Sequence, residues 1–168
     1  MGKQLVIIRH GDALSKEFGR SDFDRKLSEI GQKEAQKMTA FLKSKGIIPD
    51  FLLVSAAKRT QQTAQFFIDT FHLTDDQYLV QKELYNAFKE DIIELIGSML
   101  DDILGDTLFL IGHNPGVSEL AQNCTTSHSS FYLPTCGVIA LDLPITSWSN
   151  FSIKTTGSII LTQIPNNI

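Results

Sequence analysis

Apolar residues along this chain come either in short unbroken runs or at intervals of three and four positions. An unbroken run rich in β-branched side chains predicts a strand buried on both faces, and three- or four-residue spacing predicts a helix with one face on a core. Residues 4–8, then Phe51-Leu52-Leu53-Val54, then Thr107-Leu108-Phe109-Leu110-Ile111 are runs of the first kind, and Tyr78-Leu79-Val80 is a shorter one. Between them lie helical patterns. Ser28 reads as an N-cap before Ala35, Met38, Phe41 and Leu42, with Gly46 and Pro49 closing the helix. From about residue 57 to 71, Ala64, Phe67, Ile68 and Phe71 share a face. From about 89 to 104, Ile92, Ile93, Leu95, Ile96, Met99, Leu100, Ile103 and Leu104 predict one long amphipathic helix. A short helix is expected from Pro115 to about Asn123. The tail after Gly137 reads as three strands, at 138–143, 151–155 and 159–164.

Strands alternating with helices predict an α/β fold: a single three-layer α/β/α domain over residues 1–168 with a mostly parallel central sheet. A chain of 168 residues suffices for one sizeable core and is short for two. In such sheets ligands bind beyond the carboxyl ends of the strands. His10, Ser55 and His113 each stand just past the end of a predicted buried strand, so three segments should deliver polar groups to one edge of one sheet.

Composition changes this picture little. A net charge of -4 gives no global attraction to nucleic acid or an anionic membrane, so neither is expected as a partner. No apolar run approaches the ~20 residues needed to span a bilayer. Leu5–Ile8 is too short for the apolar region of a signal peptide, so a cytoplasmic address is expected. Cys124 and Cys136 have neither metal-ligand spacing nor the density of a disulfide scaffold, and read as reduced. No carboxylate cluster has metal-ligand spacing, so no metal or other cofactor is expected.

Three segments carry candidate chemistry. In Arg9-His10-Gly11 the strand would hold an imidazole able to act as a nucleophile at neutral pH, beside an arginine suited to gripping phosphate oxygens. In Ser55-Ala56-Ala57-Lys58-Arg59-Thr60-Gln61-Gln62-Thr63 a helix opens with two cations, where helix stability alone would favour anions. In Gly112-His113-Asn114-Pro115-Gly116 a second histidine follows a strand and, if protonated, could donate to a phosphoryl oxygen. Alone, each also fits a bland role: a surface Arg-His pair at a turn, a solvated Lys-Arg pair, a helix-capping histidine.

Together these segments resemble the histidine phosphatase superfamily, which has the phosphoglycerate-mutase-like fold. The compact length, Asp24-Arg25-Lys26-Leu27-Ser28-x-x-Gly31 and Glu83-Leu84-Tyr85-Asn86-Ala87 look more specifically like its SixA-type phosphohistidine phosphatases. The resemblance implies that His10 is the nucleophile and that Arg9, Arg59 and His113 complete the catalytic, phosphate-binding pocket. Arg25 falls where the small subfamily often places a further basic residue. Larger relatives protonate an alkoxide leaving group with a carboxylate from the loop after the third strand, which makes Glu83 the candidate general acid here. Asp12, Asp22, Asp24 and Glu90 are weaker ones.

The expected activity is a metal-independent phosphatase working through phospho-His10, with His10 neutral, His113 charged and their pKa values pushed apart. The expected partner is a phosphorylated protein, a phosphohistidine domain, since imidazole can leave without a positioned acid and no lid segment is visible. Two other readings are a broad phosphomonoesterase acting on small phosphate esters and a non-catalytic phosphate or phosphoprotein binding module.

Overall fold

Within β1 (Lys3–Arg9), Leu5 and Ile7 face one apolar cluster, and Val6 and Ile8 face another. The same division runs through β2 (Phe51–Ser55), where Leu53 opposes Leu52 and Val54, and through β4 (Thr107–Gly112), where Leu108 and Leu110 oppose Phe109 and Ile111. The middle positions of these strands are apolar on both sides because both faces are covered. One face is covered by α1 (Glu29–Ser44) and α2 (Lys58–Phe71), through Met38, Leu42, Ala64 and Phe67. The other lies under α3 (Lys89–Ser98), α4 (Asp101–Leu104) and α5 (Gly116–Asn123). The computed structural model describes residues 2–125 and 131–168.

With β3 (Tyr78–Gln81), β5 (Val138–Leu143) and β6 (Ser158–Gln163), the sheet has six strands in the order β3-β2-β4-β1-β5-β6. Pairing is parallel from β3 to β1, β5 runs antiparallel to β1, and β6 antiparallel to β5. This is the α/β architecture with a mostly parallel sheet that the alternation of patterns predicts. Register places Arg9 opposite Gly112 on adjacent parallel strands, so His10 and His113 leave the sheet side by side.

Two local readings are corrected. The apolar pattern over residues 89–104 is not one helix: α3 ends at Ser98, Met99 is extended, and α4 restarts at Asp101. The Asp101 carboxylate accepts from the Trp148 N–H at 2.7 Å and from the Ser147 hydroxyl, and Trp148 Nε1 donates to the Gly105 carbonyl at 2.8 Å. Seating the fully buried Trp148 therefore fixes the break, a tertiary contact that the helical period cannot register. Residues 151–155 form no strand either. The Ser152 N–H donates to Thr155 Oγ1 at 3.0 Å and the Thr155 N–H to the Ser152 carbonyl at 2.9 Å, a side-chain-supported turn in place of a ladder.

Candidate active site

The histidines come from β1 and β4, and the His10 N–H donates to the Gly112 carbonyl at 3.1 Å. Their ring centroids lie 5.2 Å apart. Arg59, in the first turn of α2, reaches both: its Nε donates to His10 Nε2 at 3.2 Å and its Nη2 to His113 Nδ1 at 3.3 Å. One side-on edge of the guanidinium thus faces two imidazole nitrogens. These residues, with Arg9, Asp12, Ala13, Asp22, Arg25, Asn86, Asn114 and Thr135, line a half-open cavity of about 290 Å³.

Hydrogen bonds assign the protons. His10 Nδ1 lies 2.7 Å from the Gly11 carbonyl, which can only accept, so Nδ1 carries the proton and Nε2 keeps its lone pair toward the cavity. His113 Nε2 lies 2.7 Å from Ser55 Oγ, a hydroxyl that can accept or donate. Neutral His113 can therefore hold its proton on Nε2, as Arg59 requires in the free site, or on Nδ1, where it would donate to a ligand oxygen.

The expected separation of the two pKa values is not found: both fall. Burial lowers His10 to about 4, helped by Arg59, Arg9 and Arg25 and opposed by the Gly11 carbonyl. Burial lowers His113 to about 3, helped by His10 and Arg59 and opposed by Asp22. Both rings are buried at one cavity with Arg59 and Arg9 beside them, so both meet the same penalty. His113 is neutral in the free site, and its freedom of tautomer, rather than a standing charge, lets it act as a donor.

Unfolded imidazole titrates near 6.5. As pH falls from about 6.5 toward 4, the unfolded chain takes up protons that these two rings refuse, and folding stability declines. Thermal melts should show Tm falling between about pH 7 and pH 5, with a shallower slope in a variant carrying His10→Asn and His113→Asn. Equal slopes in the two proteins would contradict the assignment.

Most polar positions of the second segment have a task. Ser55 meets His113, and Thr60 Oγ1 donates to the Ser55 and Ala57 carbonyls at 2.7 Å each. Gln62 Oε1 accepts from the Leu27 N–H at 2.8 Å, and Thr63 Oγ1 accepts from the Gly11 N–H at 3.0 Å. Lys58 is exposed while Arg59 is buried, which separates the pair. Leu27-Ser28-x-x-Gly31 is explained as well. Ser28 Oγ caps α1 through the Gly31 N–H at 3.1 Å and donates to Asp12, and a Cβ at Gly31 would collide with the Asp12 backbone. Gly31→Ala should therefore cost about 1–3 kcal/mol in denaturant unfolding, by overpacking the loop that carries His10; an unchanged midpoint would contradict this packing.

The other expected residues divide. Arg9 lines the cavity: its Nη1 donates to Tyr132 Oη at 3.0 Å and to the Leu133 carbonyl at 3.1 Å, and its buried Nε has no protein partner among the described residues. Arg25 also reaches the cavity, but its Nη1 is paired with Asp22 Oδ1 at 3.0 Å and its Nε with the Leu14 carbonyl at 2.8 Å. Glu83 does not fit the general-acid role. It is exposed on the 3-10 turn Lys82–Leu84 and takes no part in the cavity wall, because Leu84 is sunk in the core and turns Glu83 to solvent. Asp24 and Glu90 also lie outside the cavity wall.

Asp12 and Asp22 do line it. Asp22 is held well below the ordinary carboxylate range: burial works against ionisation, but hydrogen bonds from Arg25 and Tyr85 and the charge of Arg59 outweigh it. It is therefore no proton donor at neutral pH. Contributors that the sequence did not mark are Tyr85, whose hydroxyl donates to Asp22 Oδ2 at 2.9 Å, and Glu34, which ties the Asp12 N–H to Thr135 Oγ1 at 2.8 Å each. Among the described residues no three His, Cys, Asp or Glu side chains gather as a metal ion would require, and no helix is long and apolar enough to cross a membrane.

An α/β sheet presenting two histidines and a shared arginine at its carboxyl edge defines a class. A model of the histidine phosphatase superfamily (branch 1) matches residues 5–86 of this chain. A chain from Agrobacterium tumefaciens assigned as the phosphohistidine phosphatase SixA is similar at 25% identity with a TM-score of 0.79, covering 98% of this chain and 99% of that one. The protein histidine phosphatase SixA in complex with tungstate shares the fold, with a TM-score of 0.80 at 22% identity over 98% of each chain. An uncharacterized chloroplastic protein of Arabidopsis thaliana is 28% identical over 156 residues, 88% of this chain and 70% of that one.

Proposed function

We propose that the protein is a phosphatase that removes the phosphoryl group from a phosphohistidine of another protein, through a phospho-His10 intermediate, in the cytoplasm. The observation that carries this reading is the lone pair fixed on His10 Nε2, aimed into a cavity with Arg59 and His113 beside it. In the first step Nε2 attacks phosphorus, the phosphorus–nitrogen bond to the substrate imidazole breaks, and that imidazole leaves neutral after its other nitrogen takes a proton from solvent. In the second, water attacks phosphorus, phosphate departs, and His10 regains its lone pair. The Arg59 edge, Arg9 Nε and His113 Nδ1 offset the charge of the phosphoryl oxygens without a metal.

The cavity favours this substrate over an alkyl ester. Neither carboxylate on its wall is placed to give up a proton: Asp22 is ion-paired, and Asp12 accepts from Ser28. An alkoxide needs a positioned acid, and imidazole does not. The test is hydrolysis of a histidine-phosphorylated protein against an alkyl phosphate and p-nitrophenyl phosphate, with EDTA present throughout. Preference for the phosphohistidine, undiminished by EDTA, is expected. Preference for alkyl esters would assign a phosphomonoesterase instead, and phosphate binding without turnover of any substrate would assign a binding module.

A further inference from the structure

Arg59 presents two edges, and only one faces the histidines. Its Nε and Nη2 point at His10 and His113, while the end formed by Nη1 and Nη2 is held by a single residue. Nη1 donates to the Asp22 carbonyl at 2.7 Å and Nη2 to Asp22 Oδ2 at 3.0 Å. The same carboxylate takes Tyr85 Oη on Oδ2 and Arg25 Nη1 on Oδ1.

Asp22 is itself anchored. It opens the 3-10 turn Asp22–Asp24, which Ser21 caps by accepting from the Phe23 N–H at 3.1 Å. The Phe23 ring packs edge-on against Tyr85 at 4.9 Å, and the Tyr85 ring packs edge-on against His113 at 5.5 Å. One short turn thus fixes the guanidinium from behind and touches the tyrosine that packs on the second histidine.

We propose that Asp22 is a positioning residue for phosphoryl transfer: by clamping the far end of Arg59 it aims the side-on edge at the phosphoryl group between His10 and His113. The proposal rests on the phospho-His10 reading. A guanidinium has a flexible stem, and a buried cation without an anion would swing toward solvent or toward another acceptor. Side-on donation to two phosphoryl oxygens requires both edges to be fixed, since a misplacement of about 1 Å can cost on the order of 10²-fold in rate. Asp22 does not touch the reacting atoms in this account, so its whole effect passes through the residues it holds, Arg59 above all.

The test is a double-mutant cycle on Asp22→Ala and Arg59→Ala, read as kcat, KM and the single-turnover rate of phosphoenzyme formation from a histidine-phosphorylated protein. Asp22→Ala should lower kcat and phosphoenzyme formation by roughly 10- to 100-fold with a smaller change in KM. In the Arg59→Ala background the same substitution should cost less than about threefold, because the group it positions is gone. Both variants keep the main-chain carbonyl, and Asp22→Asn also keeps one side-chain acceptor, so it should fall between wild type and Asp22→Ala; if the alanine variant fails to fold, the cycle is run with asparagine. Full additivity, a loss confined to KM, or a gain in rate would overturn the proposal. A wild-type protein that turns over substrate without phosphorylating His10 would overturn the underlying reading and this one with it, whereas wild-type phosphoenzyme formation in Asp22→Ala would overturn this one alone.

Discussion

His10→Ala should abolish turnover, by on the order of 10⁴-fold or more, while the protein still folds and still binds inorganic phosphate. The large effect follows from the proton assignment. His10 cannot shift its proton toward the cavity without abandoning the Gly11 carbonyl, so Nε2 is committed as a lone pair, and burial with three nearby arginines keeps it unprotonated far below neutrality. His113 has no such commitment, since the Ser55 hydroxyl can accept or donate and leaves its tautomer free. Retained phosphate binding follows because Arg9, Arg59 and His113 are untouched by the substitution. Phosphate release assayed alongside calorimetric phosphate binding separates the two effects; activity surviving within about tenfold of wild type would remove His10 from the chemistry.

Arg59→Ala should cost about 2.7–4 kcal/mol of transition-state stabilisation, on the order of 10²–10³ in kcat, the loss typical of removing a preorganised electrostatic donor. Three separate roles go with it: the edge facing both histidines, the partner of Asp22, and one of the cations that keep His10 neutral. Without that cation the His10 pKa rises from about 4 toward the ordinary value, so the acid limb of the pH–rate profile should move to higher pH. Arg59→Lys should recover little, because an ammonium supplies charge without a planar fork able to span His10, His113 and Asp22. Steady-state kinetics over pH measures both effects, and full recovery by lysine would show that charge alone suffices.

The sheet was legible because its central strands carry unbroken apolar runs, the pattern of burial on both faces. The candidate site was legible for the same reason: once the strands ending at Arg9, Ser55 and Gly112 are known to lie side by side, His10, Arg59 and His113 must meet. What escaped depends on contacts that period and spacing do not register, most of them distant in sequence. The break at Met99 exists to seat Trp148, and the Ser152–Thr155 turn rests on two side chains that a strand pattern reads as alternation. Glu83 and Tyr85 stand two positions apart, and the choice between them was set by the burial of Leu84. Asp22 lies in a polar loop whose spacing relates it to nothing; its importance appears only when Arg59, Arg25 and Tyr85 are found around it. Tyr132 and Leu133, which hold Arg9, lie more than a hundred residues from it.

During turnover a phosphoryl group should rest on His10. The most direct measurement mixes wild-type protein with a histidine-phosphorylated protein substrate, quenches in alkali at short times and maps the modified peptides by mass spectrometry. The expected result is an alkali-stable, acid-labile phosphoryl group on His10 that forms and decays as substrate is consumed. Turnover with the group on another residue, or with no phosphoenzyme at any time, would contradict it.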